Sequence, residues 1–296
     1  MSANNLILVP IDFTEKSMLA LEQAKVLAKI TKSDIMMLNV IQLDNRAFSF
    51  IQSIFTEAEN SEMIKKIEKG VRDKMNQIIE SCSDDNIDIK GMISHGRVYE
   101  KIIEVSKSLN CNFIVIGAND ADESREKNIL GTNASRIVQM SDIPVLTVNS
   151  KLMKELKRII LPLDLTKETA QKVARAIKFA QFTNAEIKVV SALLSDDQKV
   201  KNKLNAQMNV VYRFINENYG NVSAEFVYGN NEDDTVAGLL MKYAVDNDGD
   251  VIMIMTQQEK ALLQFFLGST AMDIVYNSSI PVLSSVPMEI NKVNYR

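Results

Sequence analysis

The chain carries one sequence pattern twice. Residues 6–24 read LILVPIDFTEKSMLALEQA, and residues 158–176 read RIILPLDLTKETAQKVARA. Much later in each copy, SDIPVLTV at 141–148 is echoed by SSIPVLSS at 278–285. Both pairs of segments occur in the same order, which is typical of a duplicated domain rather than of a short structural repeat. The two copies can therefore be compared position by position.

The length agrees with this duplication. The 296 residues suit two domains of about 150 residues, each large enough to bury its own core. We predict a first domain at 1–150 and a second at 151–296. The charged segment 151–157 contains neither glycine nor proline, so we expect it to be a short linker.

Composition excludes several classes of partner. The net charge is −4 and the lysines alternate with acidic residues, so no basic stripe is available to neutralise phosphates, and we expect neither a nucleic-acid nor a membrane partner. Apolar runs are of strand length, well short of the ~20 residues of a membrane span. Two cysteines without metal-ligand spacing and a start without a signal-peptide pattern predict a reducing, cytoplasmic location.

Short β-branched runs alternate with segments of helical periodicity in both copies. This alternation predicts an α/β fold made of two tandem, doubly wound, parallel five-stranded sheets with helices on both faces. The predicted strands are 5–10, 35–41, 87–93, 113–117 and 145–148 in the first copy, and 159–162, 187–190, 224–227, 251–255 and 282–283 in the second.

Three segments of the first copy end at one edge of this predicted sheet. Asp12 and Thr14 follow the first strand, Val40 ends the second, and a long turn from Gly117 to Thr132 follows the fourth. In open parallel sheets, ligands bind beyond the carboxyl ends of the strands, near the switch in strand order. We therefore expect any binding site here.

These features resemble the universal stress protein family, and the resemblance covers nearly the whole chain as a tandem pair. The resemblance implies the α/β fold predicted above, which is of the nucleotide-binding α-hydrolase-like type. Nucleotide-binding members have an aspartate in a V-P-x-D-x-[ST] turn and a G-x2-G-x9-G-[ST] motif. In the first copy Asp12, Gly117, Gly131 and Thr132 match, whereas Asp120 replaces the second glycine and ten residues follow it. A carboxylate ~5 Å from a phosphate costs about 0.8 kcal/mol even in water.

The second copy departs further from the motif. Gly268 and Ser269 keep the final pair at the nine-residue spacing, but Met255 and Gln258 replace the first two glycines. The resemblance implies ATP or AMP, with Mg²⁺, as a cofactor of the first domain and implies no metal site in the protein itself. The candidate cofactor-binding residues are Pro10, Asp12, Val40, Gly117, Asn119, Gly131, Thr132, Asn133, Asp164, Gly268 and Ser269.

Structural roles compete with ligand contact at these positions. Asp12, Thr14 and their counterparts are good helix caps, and the retained Gly-Thr and Gly-Ser pairs suit a loop followed by a helix start. The single histidine, His95, stands at a strand-to-helix turn, where we do not expect catalysis. No GxxxxGK[ST], GxGxxG or GxSxG motif occurs, so we expect no catalytic residues, although slow ATP hydrolysis stays open.

Two functions fit this sequence. The glycine losses favour a non-enzymatic stress-response adaptor with degenerate nucleotide sites. The retained VPIDFT and GT segments favour the alternative, a regulatory switch that binds ATP or AMP in the first domain. The resemblance implies a pseudo-dimer of the two domains through the segments IPVLTV and IPVLSS, with a homodimer and an unidentified protein as further partners.

Overall fold

The computed structural model shows a mixed α/β protein. It describes residues 5–42, 56–82, 87–118, 132–165, 169–194, 197–229, 231, 233–255, 257–259, 264–266 and 268–286.

Strands and helices alternate in the first half, as predicted. The elements are β1 (Asn5–Pro10), α1 (Glu15–Thr31), β2 (Ser33–Ile41), α2 (Glu57–Ser81), β3 (Ile89–His95), α3 (Val98–Ser108), β4 (Phe113–Gly117), α4 (Thr132–Met140) and β5 (Val145–Val148).

The second half repeats the order, and it has a hairpin in a segment whose counterpart in the first half lies outside the described residues. Its elements are β6 (Arg158–Pro162), α5 (Thr169–Ala180), β7 (Glu186–Leu193), α6 (Gln198–Asn218), β8 (Val222–Tyr228), α7 (Val236–Asp246), β9 (Val251–Met255), β10 (Gln257–Glu259), β11 (Gln264–Phe266), α8 (Ser269–Asn277) and β12 (Val282–Ser285).

Strand order places a switch point in each half. The sheet runs β3-β2-β1-β4-β5-β12-β9-β6-β7-β8, and within each half neighbouring strands are parallel. The chain turns outward in opposite directions from β1 and β4, and likewise from β6 and β9. A crevice opens between such strands because the crossover helices leave on opposite faces.

The two halves share one ten-stranded sheet. β5 and β12 pair antiparallel, with Leu146 opposite Leu283 and Val145 opposite Ser284. This is the pairing of IPVLTV with IPVLSS that the resemblance implies, and it joins the two expected five-stranded sheets edge to edge. Because β5 and β12 run in opposite directions, the carboxyl ends of the two sets of strands lie at opposite edges of the sheet.

The core lies in two layers, one on each face of the sheet. On one face, Leu21 of α1 and Val173 of α5 belong to the same buried cluster. On the other face, Ile137 of α4 and Ile274 of α8 are buried together. Both layers continue from one half to the other, so the halves share a core as well as a sheet.

The linker packs against both halves. Met153 and Leu156 are 2% and 3% exposed. Gln23 of α1 binds both backbone groups of Met153, and Thr183 donates to the Leu156 carbonyl at 2.7 Å. The charged sequence of this segment thus conceals two core residues.

Candidate functional site

The turn after β1 presents Asp12 at the carboxyl edge of the sheet. Thr14 is the N-cap of α1 and accepts a hydrogen bond from the backbone of Ser17 at 3.3 Å. Asp12 Oδ1 accepts from the Thr14 amide at 3.1 Å and from its hydroxyl at 2.7 Å. Phe13 between them has φ 67°, a left-handed conformation that is unusual for a bulky residue. Helix capping therefore belongs to Thr14, and Asp12 is braced by the same residue.

The Asp12 carboxyl is held in its ionised form. Burial raises its pKa, but hydrogen bonds from Thr14 and Ser17 lower the pKa by more, so that it lies below its ordinary value of 3.8. An ionised carboxylate offers about four lone-pair positions. Asp12 thus keeps capacity for a donor on a ligand.

Asn39 of β2 supports this turn from below. Its side-chain amide donates to the Ile11 carbonyl at 2.7 Å, and the Ile11 amide donates to the Leu38 carbonyl at 2.8 Å. Asn39 is 8% exposed, so its amide is protected from competing water. The sequence did not reveal this role, because Asn39 stands in an otherwise apolar strand.

A cavity of about 520 Å³ opens at the switch point between β1 and β4. The predicted site residues Pro10, Asp12, Val40, Gly117 and Asn133 all line it. It also contains residues that we did not predict as site residues: Ile11, Thr14, Lys16, Ser17, Leu38, Val98, Ile102, Ile116, Ala134 and Ile137.

Gly117 has a packing role that needs no ligand. A Cβ added there would lie 2.5 Å from the carbonyl oxygen of Lys16, because the first turn of α1 rests on the end of β4. A contact that short requires the helix to shift. Retention of Gly117 is therefore explained by packing alone.

Part of the predicted motif lies outside the described residues. Asn119, Asp120 and Gly131 belong to that part, and Thr132 is described only as the start of α4. Their roles stay predictions that rest on the family resemblance.

The second half has its own cleft of about 410 Å³ at the equivalent switch point, lined by Asp164, Gly268 and Ser269 among others. Here Asp164 accepts from Lys172 Nζ at 3.1 Å, and the Lys172 side chain is only 11% exposed. The equivalent position in the first half is Ala20, a small core residue. The second carboxylate is therefore partly neutralised by a lysine that the first cleft lacks.

Met255 occupies the place of Gly117 in the second cleft. It is 7% exposed and lines the cavity, as expected from its position at the end of β9. Beyond it, β10 and β11 form an antiparallel hairpin in which Gln258, at the second glycine position, pairs with Phe265. The sequence did not predict this hairpin, which stands where the family motif has a phosphate-binding turn.

Other reactive groups lie apart from the first cleft. His95 Nε2 lies 3.0 Å from a carboxylate oxygen of Glu68, and neither residue lines the cavity. Burial raises the pKa of Cys111 to about 11, so its thiol is protonated and unreactive at neutral pH. The described part of the chain holds no group of three or more His, Cys, Asp or Glu side chains placed to bind a metal ion.

Comparison with known proteins agrees with this architecture. A family model described as "Universal stress protein family" matches residues 4–149 and again 155–284. A universal stress protein of Methanocaldococcus jannaschii is 25% identical over 154 residues, which is 49% of this chain and 94% of that protein. The predicted domain boundary at 150 falls between the two matches and stays a prediction.

Solved structures share the two-domain fold. A universal stress protein from Archaeoglobus fulgidus has a TM-score of 0.74 at 19% identity, covering 96% of this chain and 98% of its own. A protein of unknown function from Pseudomonas aeruginosa has a TM-score of 0.63 at 17% identity, covering 96% and 93%. At such identities the likeness concerns the fold alone.

The chain belongs to the universal stress protein family and contains its domain twice. In the described residues, none of the helices combines the length and the apolar character needed to cross a bilayer.

Proposed function

We propose that this protein is a non-enzymatic regulatory protein in which an adenine nucleotide, ATP or AMP, binds the first cleft and changes how the protein meets its partners. The observation that carries the proposal is the cavity that brings Asp12, Val40 and Gly117 together from three separate segments. Its volume of about 520 Å³ lies in the usual range for small-molecule sites, roughly 300–1,000 Å³.

Each part of the cleft suits one part of a nucleotide. Val40, Val98 and Ile102 supply an apolar wall for a flat base, and Asp12 supplies an ionised acceptor for an amino group on it. The first turn of α4, where Asn133 lines the cavity, has backbone N–H groups without an acceptor inside the helix, and such groups favour phosphate. Among the described lining residues Asp12 is the only carboxylate, so we assign Mg²⁺ no further ligand from this chain.

A second candidate is the adaptor that needs no nucleotide. It is favoured by the second cleft, where Met255 and the Lys172–Asp164 ion pair stand in the places of Gly117 and Asp12. In this version neither cleft binds a nucleotide, and the protein acts by binding partners through its surface. A homodimer, an unidentified protein partner and a cytoplasmic location stay predictions under either candidate.

An ultraviolet spectrum of the purified, desalted protein separates the two candidates. The chain has no tryptophan and 7 tyrosines, so a bound adenine raises the absorbance near 260 nm visibly. We expect a raised band that disappears after denaturation and filtration, or one that appears after incubation with AMP and a second desalting step. A plain tyrosine spectrum after that incubation would leave the adaptor.

A matched pair of variants then locates the site. Asp12→Ala should abolish most nucleotide binding in calorimetry, whereas Asp164→Ala at the equivalent turn should leave it unchanged. The two substitutions remove the same group from the same kind of turn. Equal losses in both variants would show that the first cleft is not the specific site.

A further inference from the structure

Lys16 brings a positive charge to the first cleft. It is the second residue of α1, it lines the cavity, and its Nζ donates to the Asn149 carbonyl at 2.9 Å. Among the described residues, this neutral carbonyl is the only hydrogen-bond acceptor of the Lys16 ammonium, and no described carboxylate lies within ion-pair distance of it. Of the described residues that line the cavity, Lys16 alone is cationic.

The ammonium lies at one end of the cleft. Val40, Asp12, Gly117 and Asn149 stand at or just past the ends of β2, β1, β4 and β5, which are neighbours in that order. Strands lie about 4.8 Å apart, so the row spans about 14 Å. The acceptor for a base is near the middle of this row and the ammonium is at the β4–β5 end. A ligand that lies along the row therefore places its far end at Lys16.

Asn149 connects this end of the cleft to the second half of the protein. Its side-chain amide donates to the carbonyls of Val275, Tyr276 and Ser278, at 3.2, 3.3 and 2.7 Å. These carbonyls belong to the end of α8, where backbone acceptors lack partners within the helix. The other end of α8 contributes Ser269 and Thr270 to the second cleft.

We propose that Lys16 recognises the anionic, phosphate-bearing end of a ligand in the first cleft and, by leaving Asn149 to do so, reports occupancy to α8. An ammonium and a phosphate attract each other as two full charges, whereas a neutral carbonyl offers the ammonium only a dipole. An incoming phosphate therefore takes the ammonium from Asn149. Asn149, whose side chain holds the end of α8, then loses the hydrogen bond from Lys16 to its own carbonyl. As a result α8, which lines the second cleft, is held less firmly.

This coupling works in both directions. If a phosphate in the first cleft loosens α8, then any ligand that holds α8 in place weakens phosphate binding by the same factor. In the described part of the second half, Val286 occupies the position of Asn149; it has no side-chain amide, and its backbone carbonyl accepts from Arg175. The proposed coupling therefore links occupancy of the first cleft to the end of α8.

The proposal rests on the proposed function, and calorimetry with adenosine and AMP tests both, because these probes differ only by the phosphate. We expect the wild-type full chain to bind AMP about tenfold or more tighter than adenosine. Lys16→Met should lower this ratio about fivefold or more and leave only the preference that the start of α4 supplies, and Lys16→Arg should restore the ratio. Lys25→Met, on the same helix but outside the cavity, is the matched control and should keep the wild-type ratio.

Hydrogen exchange of peptides covering 270–278 tests the connection. AMP should accelerate exchange there in the wild type while adenosine does not, and Lys16→Met should show the fast rate without ligand. An AMP preference in Lys16→Met as large as that of the wild type, or exchange that does not change with AMP, overturns the inference but leaves the proposed function standing. A wild-type chain that binds neither probe overturns both.

Discussion

At the residue scale, Asp12 and Asp164 occupy equivalent positions in the two copies but make different contacts. Asp12 accepts from a threonine hydroxyl and a backbone amide, and Asp164 accepts from Lys172, which lies in the first turn of α5. Aligned sequences show the same P-x-D-x-T pattern in both. The ion pair depends on one position, which is Ala20 in the first copy and Lys172 in the second.

The hydrogen bonds to Asp12 predict a pH dependence of stability. The pKa of Asp12 in the folded protein lies below its ordinary value of 3.8, so its contribution is present above about pH 4 and is lost as the pH falls through the folded pKa. Asp12→Asn should lower the free energy of unfolding at neutral pH by less than about 1 kcal/mol, because the group is exposed and screened. Urea denaturation from about pH 3 to 7 measures this. A difference between variant and wild type that does not shrink at the acid end would contradict the prediction.

At the element scale, alternation and repetition made the fold predictable. Every strand proposed from β-branched runs is present, with bounds that shift by a few residues, because buried parallel strands need such runs whatever surrounds them. The edge pairing of β5 with β12 followed from the family resemblance and is present in the structure.

The elements that sequence reasoning missed are set by contacts between segments. The β10–β11 hairpin stands where the family motif predicts a turn, and it is held by backbone pairing between two segments. Lys16 and Lys172 looked like ordinary solvated lysines on amphipathic helices. They line the clefts because of the residue at which each helix begins. If the helix began one residue earlier or later, the side chain would point in a different direction.

The packing of α1 on β4 predicts a large difference between two glycine substitutions. Gly117→Ala should destabilise the protein by about 1–3 kcal/mol, because the new Cβ would crowd the Lys16 carbonyl at 2.5 Å. Gly70→Ala, in the middle of α2 with no described atom within 4 Å, should stabilise it by about 0.5–1 kcal/mol. Thermal or urea unfolding compares them. If Gly117→Ala proves as harmless as the control, packing does not explain why that glycine is retained.

At the scale of the whole molecule, the antiparallel seam between β5 and β12 holds two similar domains together. Leu146 and Leu283 face each other at its centre, 1% exposed each. Ser284 adds a side-chain hydrogen bond to the Val145 carbonyl at 3.1 Å. Each half therefore covers the sheet edge and the apolar helices that the other would expose to water.

This seam predicts the behaviour of the separated halves. A chain of residues 1–150 should form a dimer through β5, since an uncovered apolar edge strand is a template for pairing. Adding a separate chain of residues 151–296 should convert that dimer into a mixed complex with the native pairing. Light scattering gives the masses, and a 1–150 chain that stays monomeric at micromolar concentration would show that the seam is not self-sufficient.

Joining the two domains in one chain also releases them from symmetry. In a dimer of identical subunits, every substitution appears on both sides of the axis, so a cleft cannot gain a lysine in one subunit and stay unchanged in the other. In this chain the equivalent positions carry different residues: Ala20 corresponds to Lys172, Gly117 to Met255, and Gln23 to Arg175. The duplicated chain can keep one ancestral cleft while the second changes freely. Since the clefts open at opposite edges of the sheet, each can be adapted without disturbing access to the other.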